Sequence, residues 1–178
     1  MATSSSNKMP LLVDRPLHSF ATLGGASALT DSTNLNTPSP AGCVLLVDCS
    51  ANDGAVIDSL SIIANEASLT ATNVLVFLST ATTATSITTA NSAYVAGGAV
   101  TSVSKGDRTN ISLPPLSIPV PNLASPAATV AAYPNEVEKK NTGLYVPSGA
   151  LIYVGVDTAI ATPSANSRVH VFAQGGFF

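Results

Sequence analysis

The chain has 178 residues, a formal net charge of −3, and 46% hydrophobic but only 10% charged residues. That is the length of one domain able to bury a core without staples, and it is too apolar for a disordered chain. Seven Lys and Arg scattered along the length argue against the concentrated basic face of a nucleic-acid binder.

Residues 1–16 carry no periodicity, and Pro10 and Pro16 deny a helix. An extended N-terminal arm is expected over residues 1–19, followed by a single all-β domain over 20–178. The arm holds Pro10-Leu11-Leu12-Val13, an apolar patch on an extended segment. Leu11, Leu12 and Val13 are therefore expected to order against another subunit. The polar start lacks the apolar stretch of a secretory signal, so the protein is expected to be made and kept in a cytosol or to leave it by lysis. No run approaches the roughly 20 apolar residues of a membrane-spanning helix.

Residues 24–42 are rich in turn formers, and Cys43 to Asp48 is a short apolar strand bounded by them. Six residues of extended chain between Cys43 and Cys49 exceed the reach of a disulfide, so two free thiols are expected. Asn52-Asp53-Gly54 reads as a hairpin turn. Val56, Asp58, Leu60, Ile62 and Ala64 then alternate, with Leu60 and Ile62 facing the core. Asn73 to Ser79 places Val74, Val76 and Leu78 on one face and Leu75 and Phe77 on the other. Such a strand is covered on both sides or lies at an interface.

Residues 80–96 are rich in Thr and Ala, a composition that disfavours a helix. Gly97-Gly98 reads as the turn of a hairpin between Ala93–Ala96 and Ala99–Val103, and Lys105 to Arg108 as another turn. The prolines of 111–126 limit that stretch to an edge strand or a surface crossing. Glu136 to Lys140, the only charge cluster, reads as a solvated loop or single helical turn.

Leu144 to Val146 is a strand, and Val146-Pro147-Ser148-Gly149 a type I turn. Ala150 to Val156 comes next, with Leu151 and Tyr153 on one face and Ile152, Val154 and Val156 on the other. In Arg168 to Ala173, Val169 and Val171 point inward while His170 and Phe172 point outward. The final glycines would turn the backbone out of the sheet. Phe177 and Phe178 then either fold back over the protein's own sandwich or pack across a subunit boundary. Eight to ten short strands with regular turn signals argue an all-β sandwich or barrel, best a jelly-roll-like β-sandwich.

Gly143 to Val154 resembles the strand, Pro-small-Gly turn and strand near the C-terminus of small jelly-roll structural proteins of tailed bacteriophages. The ending Val-His-Val-Phe-Ala-Gln-Gly-Gly-Phe-Phe is similar to their last strand and tail. Ile57–Ile62 followed by Val74–Leu78 resembles their paired core strands. The resemblance covers about a third of the chain. It implies a non-enzymatic virion component such as a capsid decoration (cement) protein, assembled in the host cytoplasm. The expected partners are copies of itself, a homotrimer above all, and other virion proteins such as the major capsid protein; neither nucleic acid nor membrane is expected. Leu11, Leu12, Val13, Phe177 and Phe178 are its candidate interface residues.

Two other functions compete. A jelly-roll carbohydrate- or receptor-binding protein of a tail or fibre is disfavoured by the absence of Trp and by 5% aromatics. A β-sandwich hydrolase is disfavoured because Ser residues, His18 and His170 come without a nucleophile elbow. Asp48-x-Ser50-x-Asn52 lacks the glycine and glutamate of a calcium loop. No catalytic residue, metal ligand or cofactor is expected.

Overall fold

The computed structural model describes residues 14–24, 42–65, 72–100, 106, 108–113, 143–158, 160 and 168–178. These residues form two antiparallel β-sheets packed face to face, and no α-helix occurs among them. The strands are β1 (Arg15–Gly24), β2 (Cys43–Asp48), β3 (Gly54–Ala64), β4 (Thr72–Ser79), β5 (Ser92–Val100), β6 (Arg108–Ile111), β7 (Leu144–Pro147), β8 (Leu151–Val156) and β9 (Arg168–Phe177). Sheet A runs β1-β9-β3-β6, with β7 beside the other half of β3; sheet B runs β2-β8-β4-β5. The pairing is nested: β1 with β9, β2 with β8, β3 with β6, β4 with β5.

Side chains alternate across each strand, so each sheet sends one set inward. Leu17, Ala21 and Leu23 of β1 join Val169, Val171 and Ala173 of β9 in the core. Val74 and Val76 of β4 and Ile152, Val154 and Val156 of β8 meet them from sheet B. The core is built from aliphatic side chains, whose branched shapes suit a pleated surface.

Several expectations need correction. Residues 15–19 belong to β1, fully paired with β9, and Leu17 is 2% exposed; the domain therefore begins before residue 20. Leu17, Ala21 and Leu23 supply the period-two signal that Pro16 masks. Asn52–Gly54 does not close a hairpin, because β2 and β3 lie in different sheets. For the same reason Ile57–Ile62 and Val74–Leu78 do not pair. A bulge between Ile57 and Ser59 switches the inward set of β3 from Ala55 and Ile57 to Leu60, Ile62 and Ala64, leaving Val56 half-buried and Asp58 exposed.

Two glycine pairs expected at turns lie inside strands instead. Gly97 and Gly98 pair with Leu75 and Val74 within β5. A Cβ on Gly97 would sit 2.6 Å from the Tyr94 hydroxyl, and one on Gly98 would sit 3.0 Å from Ile111 Cγ1. Gly175 and Gly176 likewise continue β9, and a Cβ on Gly175 would fall 1.9 Å from the Val56 carbonyl oxygen beside the bulge. These are close approaches of chain to chain, the other use of a strand glycine. The turn after β7 is shifted by one residue. Ala150 N donates to Pro147 O at 3.1 Å, with Gly149 third at φ +79°, the positive φ that a type II turn requires.

Candidate interaction surface

The outward faces of the two sheets differ. On sheet B, Leu75 and Phe77 of β4 and Leu151 and Tyr153 of β8 point outward together with Cys43 of β2, and all are buried. Residues 80–91 cover them, placing Ala81 and Ile87 on the cluster. The cover is pinned by hydrogen bonds. The Tyr153 hydroxyl donates to Ala81 O at 3.0 Å, and Thr80 N donates to Asn91 O at 2.9 Å. Asn91 in turn accepts from Thr88 N and donates to Ser86 O, both at 2.8 Å. Thr83 to Ile87 makes a single 3-10 turn there. Burial pushes the phenols of Tyr153 and Tyr94 up, and for Tyr153 the charges of Asp48 and Cys43 add to the effect.

Sheet A has no comparable cover among the described residues. Phe20 of β1 is 63% exposed. Its ring lies 6.0 Å from Phe172 and 6.4 Å from His170 of β9, centre to centre. The alternation of β1 and β9 puts these three on one face, beside His18, Thr22 and Gln174. Thr22 Oγ1 and His170 Nδ1 are 3.0 Å apart. Burial lowers the His170 pKa below its ordinary value, and the charge of Arg168 lowers it further. Arg108 donates to the Ser61 hydroxyl at 2.8 Å, which satisfies that buried group at the margin of the face.

Of the residues expected at an interface, Leu11, Leu12 and Val13 lie outside the described residues. Phe177 packs against the inner core, with the Arg15 guanidinium 4.9 Å above its ring. Phe178 lies 5.9 Å from Tyr145, an exposed residue of β7. Both rings therefore contact their own chain. Treating residues 1–19 as an arm hides Phe20 from sequence reasoning; the alternation from Leu17 to Leu23 is the signal that places it outward.

The remaining candidate chemistry resolves into structural contacts. Asp48 Oδ1 accepts from Ser50 N at 2.8 Å, Asn52 Nδ2 donates to Asp48 O, and Arg15 donates to Asn52 Oδ1. Cys43 and Cys49 are buried thiols belonging to different clusters, Cys43 outward and Cys49 in the core. Burial, with the Asp48 charge adding, raises the Cys49 pKa to about 11, so the thiol stays protonated and weakly nucleophilic at neutral pH. At Asp157, burial works upward, but Asn73 N–H, the Asn73 amide, and the Thr72 and Thr158 hydroxyls outweigh it and hold the carboxyl below its ordinary range. Among the described residues no group of three or more His, Cys, Asp or Glu could hold a metal ion. No protein-family model, curated protein or solved structure matches the chain.

Proposed function

We propose that the sandwich is a jelly roll and that the protein is a non-enzymatic structural component of a virion, a capsid decoration protein that stabilises the head through subunit contacts. The nested pairing of eight strands carries this reading. First strand with last, second with penultimate and so inward, rolled so that successive pairs fall in alternate sheets, is the order of a two-sheet jelly roll, an architecture used by capsid domains. Composition supports it. Short uncharged side chains lose little entropy on ordering and cost little to desolvate, which suits lasting contacts between copies.

Electron microscopy of virus-sized particles from the source, labelled with antibody to this chain, tests the reading. Label spread over the shells is expected. Particles without label would overturn it, and label confined to tails or fibres would favour a receptor-binding role. Native mass of the purified full chain addresses assembly: a closed homo-oligomer, a trimer first, is expected. A monomer at all concentrations would count against subunit contacts.

A further inference from the structure

Among the described residues, the outer edge of β1 is an open template. At the two ends of β9, Phe178 N donates to Gly54 O at 3.0 Å and Asn65 N donates to Arg168 O at 2.9 Å. The even-numbered residues of β9 therefore aim their backbone groups at β3. Its odd-numbered residues aim theirs at β1, where their partners are Arg15, Leu17, Ser19, Ala21 and Leu23. His18, Phe20 and Thr22 consequently aim N–H and C=O the other way. No strand lies on that side among the described residues. Pro16, whose N–H would point outward too, has none to offer.

Edge strands are normally guarded by lysine, inward charges, bulges or brevity. β1 has ten residues, a register with β9 unbroken by any bulge, and no formal charge from Pro16 to Gly24. It also carries Phe20, the most exposed large apolar side chain described.

We infer that this edge takes up the same strand of a second copy, antiparallel about a two-fold axis at Phe20. That register sets Phe20 against its counterpart on the outward face, His18 against Thr22, and Pro16 against Gly24. The segment is self-complementary because it opposes no like charges; Asp14 and Arg15 run past the partner's Gly24. The main-chain ladder supplies attraction, and the facing phenylalanines supply the apolar cross-strand pair that fixes register. An edge about 33 Å long buries less than the roughly 800 Å² per partner of a standard interface. The contact is therefore a concentration-dependent one, and it stands independently of any virion role.

Amide exchange of the full-length protein, measured residue by residue in dilute and concentrated samples, tests the inference. Leu17, Ser19 and Ala21 amides are protected by β9 at both concentrations. Those of His18, Phe20 and Thr22 are expected to slow by about tenfold or more on concentration. Outward amides that exchange freely throughout would overturn the pairing. Outward amides protected equally at both concentrations would also overturn it, since a segment of the same chain then covers the edge. His18→Pro removes an outward N–H while sparing the ladder with β9, and should abolish the concentration dependence. Phe20→Asp, which opposes two carboxylates at the axis, should do the same should the proline variant not fold. Concentration-dependent protection that survives in a folded variant of either kind would place the second copy elsewhere.

Discussion

Phe77 and Phe20 are the same side chain on the outward faces of two sheets of one sandwich, yet Phe77 is 1% exposed and Phe20 63%. The difference lies in the segments that pack over each strand. After β4 the chain turns back as residues 80–91 and lays Ala81 and Ile87 over Leu75, Phe77, Leu151 and Tyr153. No described segment does this for Phe20, His170 and Phe172. An outward apolar residue is thus no marker of a partner until the chain's own segments have been placed.

Exchanging each ring for alanine breaks or sharpens the contrast most directly. Phe77→Ala should cost about 3–5 kcal/mol, the range for a buried aromatic, whereas Phe20→Ala should change stability of the isolated subunit by under about 1 kcal/mol. Denaturant midpoints of the two variants measure this, and equal losses would erase the distinction. Gly97→Ala comes next. Its Cβ would press on the Tyr94 hydroxyl and lie 3.0 Å from the Val74 carbonyl oxygen. A loss of about 1–3 kcal/mol is expected, as for overpacking, with altered near-ultraviolet dichroism from Tyr94, whose ring sits edge-on to Phe77 at 6.2 Å.

Tyr153→Phe removes the hydroxyl that holds Ala81 O and leaves the rings in place. A loss of about 1 kcal/mol is expected, together with faster proteolysis within residues 80–91. Undiminished protease resistance would show that packing alone retains the cover. The smallest effect belongs to the face that carries Phe20. Because the folded-state pKa of His170 lies below its ordinary 6.5, protonation favours the unfolded chain. Its contribution is fully present above pH 6.5 and declines as pH falls from there through the folded-state value. His170→Gln should flatten that part of the thermal midpoint profile. An unchanged profile would mean that His170 titrates alike in both states.

Much of this architecture is written in local pattern. Period-two alternation locates β4, β8 and β9 and separates the two faces of β8, Leu151 and Tyr153 on one and Ile152, Val154 and Val156 on the other; the packing makes the first outward and the second inward. It also places Val169 and Val171 inside and His170 and Phe172 outside. Such alternation needs only the pleat, a property of each strand alone. The same rule misses Val56, because the bulge near Asp58 shifts the phase of β3 and is set by its neighbour β9.

Pairing and close approach belong to the tertiary structure. Asn52–Gly54 has the composition of a hairpin turn, but β2 pairs with β8 and β3 with β9, each more than a hundred residues away in the chain and in different sheets. Gly97, Gly98 and Gly175 look like turn residues when read singly. Their neighbours in space, Tyr94, Ile111 and Val56, make them the points where no Cβ fits. Amino-acid pattern by itself determined that the chain would build two-faced strands around an aliphatic core, because burial periodicity is local. Which outward face would be closed by residues 80–91, and which would carry the exposed Phe20, was decided only when distant strands paired. Exposure depends on every segment that packs nearby, and none of that is encoded within a strand's own residues.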